Sequence, residues 1–218
     1  MPIILLSSLS CLSALAYGLH FVHQPVSARR TAVKAIAVGA LTALAFASAA
    51  PFSLIGALTL GTLGDVFLSR NGQRNFLAGL VSFLLGHLAY VILLAQMGGA
   101  VQGLFTSLWR TIATLVLIAI ASTVIRRLLP HLGALRVPVL IYACVILAMG
   151  LMALSLPLTW PIILVILGAM AFIASDAILG FELFIFNDTS GNRRGAAMLL
   201  WFLYWGGQAL ITLGVLLG

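Results

Sequence analysis

The chain has 218 residues, 63% of them hydrophobic and only 7% charged, with a mean hydropathy of +1.22. A soluble globular domain carries about 25% charged residues, so the composition excludes one and points to an integral membrane protein. The formal net charge of +7 comes with no basic run interleaved with aromatics, which argues against a nucleic-acid partner and for charge placed by topology and anionic lipid.

Apolar runs long enough to cross ~30 Å of hydrocarbon predict eight transmembrane helices, at about 3–22, 32–49, 51–69, 76–97, 108–128, 135–156, 159–184 and 195–217. The expected fold class is therefore all-α, a polytopic membrane helix bundle forming one integral membrane domain over 1–218. In the first segment Ala14-Leu15-Ala16 could pass for a signal cleavage site, but Met1-Pro2-Ile3 has no positive side chain, so a retained helix is expected. The second carries Lys34 about one turn in and nearly touches the third across Ala49-Ala50-Pro51. The third contains Asp65 within Leu58-Thr59-Leu60-Gly61-Thr62-Leu63-Gly64-Asp65-Val66-Phe67-Leu68, and the fourth His87 and Tyr90. Tyr142 lies in the sixth, Asp176 in the seventh, and Tyr204 with Gln208 in the eighth. Cys11 and Cys144, each inside an apolar segment, are expected to be small buried hydrophobes with no disulfide framework.

The basic residues orient the bundle. Arg29, Arg30 and Lys34, then Arg70 and Arg74, then Arg126, Arg127 and Arg136, then Arg193 and Arg194 fall at or beside the first, third, fifth and seventh connections, and Arg110 alone is on the other side. The positive-inside rule makes those connections cytoplasmic, with both termini on the opposite face of a cell (inner) membrane. No connection is long enough for an extramembrane domain, so the chemistry must lie among the helices, on a substrate from the bilayer or a small solute entering from the cytoplasmic mouth.

Asp65 and Asp176 are two of only four acidic residues. An ionised carboxylate in hydrocarbon costs several kcal/mol, so such a residue is a functional candidate. Two carboxylates in differing environments are how a site makes one acid and one base. They stand half a chain apart in matching segments, Gly64-Asp65-Val66-Phe67-Leu68 and Ser175-Asp176-Ala177-Ile178-Leu179, which suggests a 4+4 parallel pseudo-repeat bringing both to a central interface. Depth at ~1.5 Å per residue puts Lys34, Asp65, Tyr142, Asp176, Tyr204, His87 and Gln208 in the cytoplasmic half. Gly61 with Asp65, His87 with Tyr90, and Tyr204 with Gln208 share helix faces. Gly61 and Gly64 would let another helix approach Asp65 closely. Plainer roles stand beside these: a neutral bundle histidine, a snorkelling Lys34, packing tyrosines, and Trp109, Trp160 and Trp201 as interface anchors. Glu182 and Asp188 at the cytoplasmic end of the seventh helix suit solvated roles. His20 and His23 could in principle join His87 and one Asp around zinc, but nothing in the spacing demands it; no metal and no cofactor is expected. There is no nucleophile elbow, Walker loop or His-Glu-x-x-His helix.

Together the motifs resemble the YhhN family of membrane proteins, whose characterised members are lysoplasmalogenases. The matching stretches are Leu63-Gly64-Asp65-Val66-Phe67-Leu68; Phe76, Gly79, Phe83, Gly86, His87 and Tyr90; and Arg136, Pro138, Tyr142 and Met149. They continue with Gly168 through Leu179 and close with Tyr204 and Gln208. One departure is that Lys34 is followed by Ala35 where a Lys-Pro pair is expected. The resemblance implies a membrane-embedded hydrolase that takes a lysophospholipid from the bilayer. It would cleave the vinyl ether of 1-alkenyl-glycerophosphoethanolamine or -choline to a fatty aldehyde and the glycerophospho-base. That chemistry requires a general acid and a nearby carboxylate, which Asp65 and Asp176 would supply in an order the sequence leaves open. Tyr90, Tyr142, Tyr204, His87 and Gln208 are then candidates to bind or orient substrate and water, and Lys34 to meet the phosphate. A proton-coupled transporter and a non-catalytic lipid-binding protein also fit two buried carboxylates, and the oligomeric state is left open.

Overall fold

A computed structural model describes residues 2–186 and 193–218, and every regular element among them is helical. In chain order these are α1 (Pro2–Ala16, running on as a π turn over Tyr17–Phe21), α2 (Ala28–Ala47), α3 (Phe52–Leu68) and α4 (Gln73–Gln96). Then come α5 (Leu108–Leu128), α6 (Arg136–Ser155), α7 (Trp160–Phe184) and α8 (Arg193–Leu217), with short 3₁₀ turns between α4 and α5 and between α5 and α6. All eight predicted segments are present, with bounds moved by a few residues. Seven are long and apolar enough to cross a membrane. α3, at 17 residues, is about 25 Å long, near the lower limit for a span. The protein is a polytopic helical bundle.

Local chemistry sets the boundaries. Ser27 caps α2 by accepting the Arg30 amide, supplying a partner to one of the otherwise unpaired first-turn donors. Pro51 precedes the first turn of α3 and Pro161 sits in that of α7, where a missing N–H costs nothing. Gly72, at φ 102°, turns the chain tightly between α3 and α4 in a conformation that disfavours any side chain.

α3 packs along α4 and α7 along α8; α2 and α6 each lie against the helix that follows them, and α4 packs on α6 as α8 does on α2. Exchanging the first four helices for the last four therefore maps each of these contacts onto another. The α7–α8 crossing is a glycine contact: a Cβ on Gly207 would come 2.7 Å from the Gly168 carbonyl oxygen, and one on Gly168 would come 2.6 Å from that of Gly207. Such close backbone approach is how helices gain contact in lipid, where no hydrophobic effect drives them together.

Lipid outside also explains where three residues, Cys11, Cys144 and Trp201, differ from the sequence reading. Cys11 and Cys144 lie on exposed outer faces rather than in the interior, because an apolar residue suits either side of a helix in a bilayer. Trp201 is an interior residue, 1% exposed, with its indole N–H donated to the Ala14 carbonyl, and so is no interface anchor; Trp109 and Trp160 are on the outside. Arg110 is buried and donates to the Ser155 and Leu156 carbonyls that end α6, where a cation also complements the helix dipole.

Candidate functional site

Each carboxylate sits at the centre of its own polar cluster. Asp65, 1% exposed on α3, has Lys34 Nζ from α2 at 3.0 Å from Oδ1 and accepts the Tyr204 hydroxyl from α8 on Oδ2 at 2.9 Å. Asp176 on α7 accepts the Tyr142 hydroxyl from α6 on Oδ2 at 3.0 Å. His87 Nε2 from α4 lies 3.1 Å from the same oxygen. The two sets correspond: each aspartate is met by the second helix of its own half and the fourth helix of the other. Tyr90 and Gln208, on those fourth helices, bond directly, hydroxyl to Oε1 at 3.0 Å.

The Phe172 ring connects the clusters, touching His87 at 4.6 Å, Tyr204 at 5.2 Å and Tyr90 at 6.0 Å between ring centres. Gly61 and Gly64 give Asp65 its neighbours. A Cβ at Gly61 would reach to 3.1 Å from the Gln208 amide and 3.3 Å from the Tyr204 hydroxyl, and one at Gly64 to 2.6 Å from the Phe83 ring. All eight polar residues singled out from the sequence thus enter one connected region. Lys34 does so with its ammonium turned into the bundle onto Asp65, lying also over the Tyr17 and Trp201 rings at 5.8 Å each, instead of running out to the interface.

The YhhN family matches residues 29–215. The chain belongs to it. Lysoplasmalogenases of Mycobacterium bovis and Mycobacterium tuberculosis are each 31% identical over 174 residues, 76% of this chain. The chain spans 60% of the length of each of these relatives. No solved structure matches it.

In this YhhN protein one carboxylate cluster opens on an apolar groove and the other does not border it. The groove, with about 130 Å³ of room inside it, runs between α4, α5, α6 and α7. Its walls are residues such as Leu80, Phe83, Ile120, Val124, Ala143 and Leu183, with Asp176 and Tyr142 as the polar points in its lining. Asp65 and Lys34 are not part of it.

Two members of the site, Phe83 and Phe172, fall in the stretches that resemble the family but had no chemical role in the sequence reading. Both read as ordinary apolar residues, yet the Phe83 carbonyl accepts a hydrogen bond from His87 Nδ1, the two atoms 2.7 Å apart, and Phe172 spans both clusters. Helical spacing was the available clue, since Phe83 lies one turn before His87. His20 and His23 are exposed at the end of the first span, while His87 is buried on α4. Among the described residues no three His, Cys, Asp or Glu side chains gather as a metal site would need. Glu182 lies half-buried in the last turn of α7; Asp188 is outside the described residues.

Proposed function

We propose that the protein is a lysoplasmalogenase, hydrolysing the vinyl ether of a 1-alkenyl-glycerophosphoethanolamine or -choline that reaches the site from the bilayer. The observation that carries this reading is the pair of carboxylates among the helices, Asp65 buried and Asp176 half-buried on the wall of an apolar groove, each seated among hydrogen-bond donors. Identity to two lysoplasmalogenases supports the same reaction.

One aspartic acid transfers its proton to the β-carbon of the vinyl ether as the double-bond pair forms the new C–H bond. The positive charge then lies on the adjacent carbon and ether oxygen as an oxocarbenium ion. The other, ionised carboxylate stabilises that cation, the division of labour used by two-carboxylate glycosidases. Water adds to the cationic carbon and gives up a proton to the carboxylate that had donated one, leaving a hemiacetal. Collapse breaks the carbon–oxygen bond to glycerol; the hemiacetal hydroxyl loses a proton and the glycerol oxygen gains one. The sum is substrate plus water giving fatty aldehyde plus glycerophospho-base, with both carboxyl groups restored. Gln208, fully buried with an Nε2 that has no protein acceptor, and Tyr90 beside it are placed to hold the water or a glycerol oxygen.

The test is incubation of the purified protein in lipid vesicles with 1-alkenyl-glycerophosphoethanolamine. Fatty aldehyde and glycerophosphoethanolamine should appear in equal amounts. Lipid or solute uptake that collapses with a protonophore, with no aldehyde formed, would assign the buried acids to transport instead.

A further inference from the structure

We infer that Asp176, through a proton it shares with His87, is the donor in this reaction, and that Asp65, held by Lys34, is the carboxylate that stays charged throughout. The assignment rests on the hydrolysis proposed above and adds what that reading leaves open. It makes Asp176 the catalytic acid and His87 the residue that positions its proton.

Proton accounting carries the argument. His87 Nδ1 is 2.7 Å from the Phe83 carbonyl oxygen, an atom that can only accept, so Nδ1 bears a hydrogen. Nε2 of a neutral ring would then present a lone pair to Asp176 Oδ2 at 3.1 Å. Two acceptors do not face each other at that distance in a buried site. The pair is not aligned as an N–H···O bond, since Nε2 finds no hydrogen-bond partner as it stands; a proton on the carboxyl or on the ring relieves the opposed lone pairs and, with a small turn of either side chain, is shared between them. Asp65 has the opposite surroundings. Its oxygens meet an ammonium at 3.0 Å and a donating hydroxyl at 2.9 Å; protonating it would leave Lys34 as an uncompensated charge inside the bundle.

The groove gives an independent reason. It is bordered by Asp176 and Tyr142 and by neither member of the Lys34–Asp65 pair. A vinyl ether whose chain lies in the groove with its ether end at Asp176 presents to this acid the second carbon of that chain, the one to be protonated. Proton and acceptor carbon therefore meet at Asp176 with no rearrangement of helices.

The groups facing each acid define the pH behaviour. Asp176 is faced by His87 from α4 and Tyr142 from α6, with Tyr204 of α8 within electrostatic range; α5 contributes only apolar groove residues. Asp65 is faced by Lys34 from α2 and Tyr204 from α8, with Tyr17 and Arg30 behind Lys34 and the Phe83 ring of α4 against Tyr204.

The experiment compares kcat–pH profiles of wild type, His87→Gln and Lys34→Met. A donor sets the alkaline limb, where it has lost its proton, and the charged carboxylate sets the acid limb. His87→Gln should lower kcat by about 10²-fold with KM changed only a few-fold, and displace the alkaline limb alone. Lys34→Met should displace the acid limb alone. A uniform loss with unmoved limbs in His87→Gln would make His87 structural, and an alkaline limb moved by Lys34→Met would transfer the donor role to Asp65. Infrared spectra of the same vesicles decide the matter without turnover, even if no aldehyde forms and the hydrolytic reading fails. The signal of the shared proton, carboxylic acid or imidazolium, should vanish in Asp176→Asn, shift or vanish in His87→Phe and persist unchanged in Asp65→Asn. Its absence from wild type, or its loss in Asp65→Asn, overturns the assignment.

Discussion

Asp65 and Asp176 differ more in their neighbours than in their burial, and substitutions at each should show it. Asp65→Asn and Asp176→Asn keep the shape and most hydrogen bonding but remove the charge or the transferable proton. Positioned acid catalysis and preorganised charge each contribute about 10²-fold or more, so each variant should lose at least two orders of magnitude in aldehyde release. Because the two act as a unit, the double variant should be little worse than either. Lys34→Met tests the ion pair differently: removing one partner of a buried pair typically costs about 3–5 kcal/mol. Thermal unfolding in detergent should fall accordingly, and Lys34→Met combined with Asp65→Asn should recover most of the loss. An unchanged midpoint in Lys34→Met would mean that the pair contributes nothing to stability. Both residues were visible in the sequence as charges in apolar surroundings at similar depth. Their partnership was not, because a lysine near a helix end reaches the interface as readily as the interior.

At the scale of the helices, the prediction concerns the α7–α8 crossing. A Cβ on Gly207 meets the Gly168 carbonyl oxygen at 2.7 Å and the Phe172 amide nitrogen at 2.9 Å, whereas one on Gly206 meets nothing within 4 Å. Gly207→Ala should therefore cost about 1–3 kcal/mol through overpacking, while Gly206→Ala should be neutral or slightly stabilising from helix propensity. Equal thermal midpoints for the two would show that the crossing is looser than described. Helix positions were legible because an apolar run of membrane length has few alternatives; α5 begins and ends where hydropathy put it, at Leu108 and Leu128. The faces were much less so. In lipid both the outer surface and the core are apolar, which is why Cys11 and Cys144 turned outward and Trp201 inward without any change of pattern to announce it.

For the whole molecule, the distribution of arginine predicts that the connection between α3 and α4 is cytoplasmic and that between α4 and α5 is on the opposite side. With Cys11 and Cys144 replaced by Ala, an impermeant thiol reagent added to intact cells should label Gln102→Cys and spare Asn71→Cys; the reverse would invert the bundle. The repeat suggested by the two Asp segments extends to their surroundings, since Lys34 and Tyr142 come from equivalent helices, as do Tyr204 and His87. What breaks the equivalence is chemical: an ammonium faces one acid and an imidazole the other. Function in this account depends on that asymmetry and on proton delivery to carbon. The most direct measurement is hydrolysis of a 1-alkenyl lysophospholipid in D₂O with the aldehyde reduced as it forms, before its α-hydrogens exchange. The account predicts one deuterium on the carbon next to the former carbonyl in every product molecule; aldehyde released without that deuterium would show that the vinyl ether is not opened by protonation from a solvent-exchanged acid and would contradict the two-carboxylate mechanism.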